Sequence, residues 1–268
     1  MRRQSGVAAI TAILIVAVAA SAATVMLSQQ SAMLDQSMLV TARAQADLYA
    51  QAGVDWARGV LAEDARSSTV DTLKEGWAQP IAGLPVERAL VAGDLADEQG
   101  KFNLNNLVEN TQRSEVDMRA FGRLLSGLAA GPPDLAEAVL DWIDGDADLS
   151  GNGGAEDAYY LSLARPYRAA NAPLIQVEEL YRVRGFDAAT IAKLKPYVTA
   201  LPARTPLNAN TASAVVLAAV LDIAPDKARE LVTLRDAKPF ASRDDFVDRA
   251  GKIGISQVAT NVGVASSF

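Results

Sequence analysis

Val7-Ala-Ala-Ile-Thr-Ala-Ile-Leu-Ile-Val-Ala-Val-Ala-Ala-Ser-Ala-Ala-Thr-Val-Met-Leu27 is a run of 21 residues without a charge, a proline or a glycine. As a helix rising about 1.5 Å per residue it is about 31 Å long, enough to cross the hydrocarbon core of a bilayer. Met1-Arg-Arg-Gln-Ser-Gly6 before it is short and basic, and the next charge after it is Asp35. Arginines on this side predict that the N-terminus stays in the cytoplasm and that the rest of the chain is carried across. Three readings of the start are open. A cleaved secretory signal has a basic start, a short apolar core and a small-residue cleavage site, which Ala19-Ala20-Ser21-Ala22-Ala23 would supply. An uncleaved signal anchor fits the same composition. A third reading turns on Gly6, which closes the basic leader immediately before the apolar run and not after it.

Half of the 268 residues are hydrophobic, enough to bury a core in one or two domains. Net charge is -7, and losing the leader with its two arginines takes it to -9. That charge argues against a general attraction to nucleic acid. The absence of cysteine and histidine excludes disulfides, thiol nucleophiles, Ser-His-Asp triads and the usual zinc sites.

Beyond the apolar run, Leu34, Met38, Ala42, Ala46, Tyr49, Ala52, Trp56 and Val60 recur at three- and four-residue spacing. This predicts an amphipathic helix over 28–64 that Gly53 and Gly59 weaken without breaking. Two readings are open, an anchor followed by a separate helix and one continuous spine on the order of 80 Å long. Residues 65–87 carry Ser-Ser, Gly-Trp, Gln-Pro and Gly-Leu-Pro and read as a connector. A strand over 88–97, bulged at Gly93, a polar turn at Asp97-Glu98-Gln99-Gly100-Lys101 and a strand over 102–107 predict an antiparallel hairpin against the spine.

The remainder contains a weak repeat. Phe102-Asn103-Leu104-Asn105 matches Leu207-Asn208-Ala209-Asn210, and Pro173-Leu174 with Val177-Glu178-Glu179-Leu180 matches Pro239-Phe240 with Arg243-Asp244-Asp245-Phe246. Helices are expected over 115–129, 133–143 and 187–196, and again over 211–221 and 225–236. Asn105 to Pro173 is 68 residues and Asn210 to Pro239 is 29, so the first unit carries about 39 extra residues.

That insertion holds Asp134, Glu137, Asp141, Asp144, Asp146, Asp148, Glu156 and Asp157, with no lysine or arginine between Arg123 and Arg165. An exposed, hydrated acidic loop would tolerate such repulsion. A hard cation would neutralise it: alternate carboxylates at Asp144, Asp146 and Asp148, and glycines at 151, 153 and 154 that fold the backbone tightly, suit calcium's six to eight oxygen ligands. The expected ligands are Asp144, Asp146, Asp148, Asn152, Glu156 and Asp157, for one or two ions. The loop is not an EF-hand, because Leu149 and Ala155 occupy the sixth and twelfth positions. A paired-carboxylate hydrolase is the remaining alternative.

Leu207-Asn-Ala-Asn-Thr-Ala212 with Asp226-Lys-Ala-Arg-Glu-Leu231 and Pro239-Phe240 resembles the helix-hairpin-helix domains of DNA-uptake and repair proteins. A membrane-anchored DNA-binding module of a competence system is therefore the rival reading. The turn Leu221-Asp222-Ile223-Ala224-Pro225 lacks both glycines that cradle a phosphate, and Pro225 has no amide hydrogen.

The whole chain resembles the K components of type II secretion, which are minor pseudopilins. The leader ending at Gly6, the spine, Asp97 to Asn105, Asp141-Trp142-Ile143-Asp144-Gly145-Asp146, Gly154-Ala155-Glu156-Asp157-Ala158-Tyr159-Tyr160, Val177 to Leu180 and Leu207 to Ala212 carry the resemblance. It implies cleavage between Gly6 and Val7 by a prepilin peptidase, N-methylation of Val7, and a mature chain that keeps its membrane helix. It also implies an α+β fold: a long membrane-spanning helix, a small antiparallel pseudopilin sheet and a large inserted helical domain with a calcium loop.

On that reading the leader is 1–6, the membrane part of the spine 7–27 and its periplasmic part 28–64. The connector and hairpin occupy 65–107, the inserted helical domain 108–203, and the second helical unit with the start of C-terminal strands 204–268. The family continues past the segment matching Val262 to Phe268, so the C-terminal sheet is expected to be incomplete. The implied partners are the I and J minor pseudopilins, the major pseudopilin, the inner-membrane assembly platform and the peptidase, with secreted substrates or the outer-membrane secretin as further candidates and no nucleic acid. No enzymatic activity is implied. Ordinary subunits of such filaments carry a glutamate at the fifth mature position. Here that position is Thr11, which predicts a chain that caps the pseudopilus instead of repeating along it.

Overall fold

The structure is a computed structural model that describes residues 5–86, 89–256, 258 and 260–267. Leader residues 1–4 lie outside the described residues. In chain order the elements are α1 (Ser5–Ser67), β1 (Ile81–Val86), β2 (Ala89–Gly93), β3 (Phe102–Asn103), β4 (Val108–Glu109), β5 (Gln112–Arg113), α2 (Glu115–Gly127), α3 (Leu135–Ile143), α4 (Asp157–Tyr160), α5 (Ala188–Leu194), β6 (Val198–Thr199), β7 (Leu207–Asn208), α6 (Ala214–Leu221), α7 (Pro225–Ala237), α8 (Arg243–Lys252) and β8 (Val262–Gly263). They form two compact units. One takes α1 to Gly59 together with β1 and β2; the other takes Val60–Pro80 and everything after β2.

Helix α1 runs unbroken for 63 residues, the part to Gly59 in the first unit and the rest in the second. The first proline of the chain is Pro80, and nothing before it forces a stop. Helix and spine are therefore one element, as the continuous reading requires. Apolar side chains from Val7 to Leu27 lie exposed along it. This is the one helix among the described residues long and apolar enough to cross a membrane. Its hydroxyls are satisfied internally: Ser21 donates to Ala17 O, Thr24 to Ala20 O and Ser31 to Leu27 O. Such back-bonding removes the penalty of a bare hydroxyl in hydrocarbon.

The hairpin forms, but with a different partner from the one the sequence suggests. β2 pairs antiparallel with β1, with Leu84 opposite Val91 and Val86 opposite Ala89. Gly83 and Pro85 suggest a connector, yet both sit inside a strand. Gly83 takes a left-handed φ of 67° at the register irregularity between Ile81 and Leu84, so the bulge falls there and not at Gly93. In a two-stranded sheet every strand is an edge, where a proline without its amide is tolerated.

Residues 102–107 are not the second hairpin strand. Asn103 Oδ1 accepts the Asn105 amide at 3.1 Å, turning Leu104–Leu107 into a 3-10 helix, and only Phe102 and Asn103 remain extended. Those two pair in parallel with Val198 and Thr199 of β6.

The second unit is built twice on one plan. Asn105 Oδ1 accepts the Leu174 amide while its Nδ2 donates to Leu174 O (2.8 and 2.9 Å). Asn210 does the same to Phe240 (2.9 and 2.9 Å). Each asparagine imitates a backbone partner to the residue after a proline, and each sits beside a two-residue parallel pair, β3 with β6 and β7 with β8. Between these anchors lie two packed helix pairs, α2 with α3 and α6 with α7, and α2 packs on α6. Phe121, Leu124 and Leu125 of α2 and Leu217 and Val220 of α6 are buried in the shared core.

Helix starts follow the sequence: Asp187, Ser213 and Ser242 accept amides at the N-termini of α5, α6 and α8, and Pro225 opens α7. α6 starts at Ala214 and not at 211, because the amides of Thr211 and Ala212 bond back to Asn208 O. The α6–α7 turn dispenses with glycine by placing Asp222 at a φ of 55°.

Asn105→Ala and Asn210→Ala each strip partners from a buried amide and two buried carbonyls. Each is expected to cost roughly 2–4 kcal/mol, measured by urea denaturation of the full chain in detergent. A loss under half a unit at both sites would show that the side chains do not hold these segments together.

Candidate metal centre

The acidic loop hangs from α3. Ala136, Val139, Leu140 and Ile143 are buried, which fixes the helix and carries Asp141 to zero exposure. Asp144 caps the C-terminus of α3, and Glu156 directly precedes α4. Trp142 packs edge-on against Tyr160 at 5.2 Å and clamps the two ends of the loop together. The glycines serve close approach: a β-carbon at Gly154 would collide with Asp141 Oδ2, and one at Gly153 with the Asp134 carbonyl.

Oxygens of Asp144, Asp146 and Glu156 lie within 4.8 Å of one another. Asp144 and Glu156 are buried and Asp146 is exposed. Asp144 Oδ1, both Glu156 carboxylate oxygens and Asp141 Oδ2 are buried with no hydrogen-bond partner. Such orphaned acceptors are costly unless a proton or a cation reaches them. Burial, then Asp146 and Asp141, push the Asp144 carboxyl up to about 6. Burial, then Asp141 and Asp144, push Glu156 up to about 7. Asp141 is raised by burial, offset in part by Ser150, whose amide donates to Asp141 Oδ1 at 3.0 Å.

Of the six expected ligands, Asp144, Asp146 and Glu156 come together. Asp148 and Asn152 are exposed, and Asp148 is outside the group of carboxylates; the Asp148 amide donates to Asp146 Oδ1 at 2.9 Å. Asp157 turns away, accepting the Ala169 amide at 3.0 Å and facing Arg168 at 3.5 Å. Asp141, absent from the expected ligands, stands beside the cluster; its spacing of three from Asp144 at a helix end was the available signal. Glu137 accepts the Gly153 amide at 2.8 Å and shapes the loop.

A second carboxylate group, Asp64, Asp71 and Glu75, is committed to the fold. Asp71 accepts the Ser266 amide, and Glu75 accepts the Thr72 amide and the Trp77 indole. At the other end of the chain, Gly6 and Val7 lie in the first turns of α1. The Thr11 hydroxyl lies 3.0 Å from both Val7 O and Ala8 O and is spent within its own helix.

The described residues thus combine a long apolar helix with a helical, duplicated unit that carries an acidic insertion. Family models described as "Type II secretion system (T2SS), protein K" match residues 100–203 and 207–265. Among curated relatives, the type II secretion system protein K of Pseudomonas aeruginosa is 38% identical over 95% of this chain and 79% of its own length. That of Aeromonas hydrophila is 32% identical over 92% and 81%. A chain of the crystal structure of the GspK-GspI-GspJ complex from the enterotoxigenic Escherichia coli type 2 secretion system superposes with a TM-score of 0.74. It has 28% identity and covers 86% of this chain and 85% of its own. The chain belongs to the type II secretion system protein K family and is a minor pseudopilin.

The raised carboxyls set a pH dependence. Their folded values exceed the ordinary 3.8 and 4.5, so between about pH 4 and 7 the native state binds more protons than the unfolded one. Stability in EDTA should therefore fall as pH rises through that window. Scanning calorimetry of the full chain should show Tm dropping from pH 5 to 8, with a shallower drop in Glu156→Gln. Equal slopes in the two proteins would contradict this electrostatic picture.

Proposed function

We propose that this chain caps the tip of a periplasmic pseudopilus, assembled with the I and J minor pseudopilins, and helps initiate the filament that drives export across the outer membrane. The observation that carries the reading is the likeness, over 86% of the chain, to a chain of a GspK-GspI-GspJ complex. On this reading the chain is a single-pass protein of the bacterial inner membrane. Arg2 and Arg3 keep the N-terminus cytoplasmic, and the helical unit is periplasmic. The role is assembly, with no reaction assigned. Nothing in the relatives favours a DNA-binding module.

Thr11 supports the terminal position. In a filament of stacked helices each cut amine is a buried charge that needs a carboxylate. Thr11 supplies only a hydroxyl, whose hydrogen is donated within its own helix and whose oxygen accepts a hydrogen bond without neutralising the charge. A chain with nothing stacked above it has no amine to serve. In cells with an active prepilin peptidase, mass spectrometry should find Val7 as the mature N-terminus, and Gly6→Val should block the cut. Cross-linking should find one copy per filament at the distal end, and Thr11→Glu should leave it there. A mature start near Ala23, or copies along the shaft at major-subunit stoichiometry, would sink the reading.

The acidic loop is proposed to bind calcium. Its donors are all hard oxygens, and the orphaned buried oxygens of Asp141, Asp144 and Glu156 are what such a cation satisfies. Asp144, Asp146 and Glu156 would hold the ion, with Asp141 beside them. The ion supplies the positive charge that lets these carboxylates share one buried space. After EGTA treatment, calcium at a hundred times its Kd should stabilise the full chain by about 2.7 kcal/mol, and Glu156→Gln should abolish most of that gain. An unchanged Tm with calcium, with magnesium and zinc tested alongside, would remove the site.

A further inference from the structure

The segment after the acidic loop reverses the charge of the chain. Between Ala158 and Arg184 it carries Arg165, Arg168, Arg182 and Arg184 against Glu178 and Glu179, in a protein of net charge -7. Both glutamates are already used. Glu178 pairs with Lys195 at 2.7 Å, and Glu179 accepts the amides of Ile175 and Gln176. Arg168 faces Asp157. Among the described residues no carboxylate lies within ion-pair distance of Arg165, Arg182 or Arg184, and all three are exposed.

A tyrosine ladder lies among these arginines, in contact with the Arg184 side chain and the Arg182 backbone. Tyr159, Tyr160 and Tyr167 follow one another at centroid distances of 5.2 and 5.3 Å. The Arg184 guanidinium lies over the Tyr159 ring at 5.2 Å and donates to Gly154 O at 2.7 Å. At the other end the Tyr167 hydroxyl donates to Arg182 O at 2.8 Å, and Arg165 and Arg168 flank Tyr167 in sequence. The loop braces this arrangement through Asp157, which holds the Ala169 amide, and through the Tyr160 hydroxyl, which accepts the Arg184 amide at 3.3 Å. The face is thus built on the buried Tyr160 ring, the half-buried Tyr167 and fixed backbone. It also presents apolar area, with Tyr181 57% and Leu161 47% exposed.

We propose that this arginine–tyrosine face, centred on Arg165, Arg182 and Arg184 with Tyr181 and Leu161, is a docking surface for an acidic polypeptide segment that also carries aliphatic side chains. Three guanidiniums without carboxylates of their own lack what such a partner brings, and the guanidinium fork matches a carboxylate in bidentate geometry. Tyrosine and arginine are the residues that interfaces enrich, and the exposed Tyr181 and Leu161 supply contact area that a purely ionic ligand would leave unused. The surface goes beyond the cap role and does not depend on which subunits lie beneath the chain.

The test uses the full chain in detergent and a fluorescein-labelled peptide of repeated Asp-Glu-Leu triplets, followed by fluorescence anisotropy. The peptide should bind, and added salt should weaken it. Arg165 and Arg182 side chains hold nothing in the fold, so the R165E/R182E double variant should keep its Tm while binding about tenfold or more weakly. Tyr181→Ser should also weaken binding severalfold. The inference is overturned if the Asn-Gln-Leu analogue binds equally well, if neither peptide binds, or if the charge-reversed variant binds unchanged. It is also overturned if dextran sulfate competes and Tyr181→Ser has no effect, which would make the face a non-selective polyanion patch. Pseudopilus incorporation measured in parallel separates this result from the cap reading: loss of peptide binding with tip assembly intact leaves that reading standing.

Discussion

Two buried asparagine side chains hold the helical unit closed. Asn105 and Asn210 each occupy the place of a missing strand, offering one acceptor and one donor to the residue after a proline. Their neighbours Asn103 and Asn208 accept the amide two residues on and turn the chain out of its short strand. A two-residue parallel pair is too short to persist by itself. The asparagines extend the hydrogen bonding without extending the strand, so helices as short as α5 and α6 are fixed at their ends. Asn208 also gathers distant segments, donating to Asp71 O, Asp97 Oδ2 and Ser266 Oγ. Removing any of these polar groups would leave others buried and bare, which makes the network strict about geometry.

The duplicated plan explains where the acidic loop is. In the second repeat of the plan α7 runs to Ala237 and reaches Pro239 directly. In the first, α3 stops at Ile143, and the chain detours through the loop and α4 before returning to Pro173. The detour begins on the packed α2–α3 pair and ends at Leu174, which Asn105 holds, so it is an excursion from a closed unit and not a linker between units. Its buried carboxylates oppose its own folding at neutral pH. The Trp142–Tyr160–Tyr167 packing and the bond from Arg184 to Gly154 O hold it against that repulsion.

Much of this was legible because the signals are local. The proline-free apolar run over 7–27 and the apolar periodicity over 28–64 marked the two halves of α1 with their continuity left open, and the repeated Asn-x-Asn and Pro-Leu or Pro-Phe pieces marked the duplication. The hairpin partner was not legible. Gly83 and Pro85 are turn signals everywhere except in a bulged edge strand, and the two parallel pairs join residues 96 and 55 positions apart. The metal cluster was half legible. Alternating aspartates marked the loop, but whether a carboxylate joins the cluster depends on its competing partners. Asp157 is taken by Ala169 and Arg168, whereas Asp141 is brought in by the burial of α3, whose pattern suggests only core.

The chain is built for two solvents, and each end solves the same problem differently. Along the apolar half of α1 the hydroxyls of Thr11, Ser21 and Thr24 turn back to their own helix, and the Thr11 oxygen carries no charge to neutralise a neighbour's amine. In the acidic loop water is excluded by packing, and oxygens of Asp141, Asp144 and Glu156 have no donor at all. The first arrangement is complete within itself and suits a helix that need not serve a repeating stack. The second is incomplete and stable only with something positive from outside, a proton or a cation. On the proposed cap reading, self-sufficiency along the apolar helix and dependence in the helical unit fit together: such a subunit has no neighbour's amine to serve above it, and its acidic loop takes its positive charge from the surroundings.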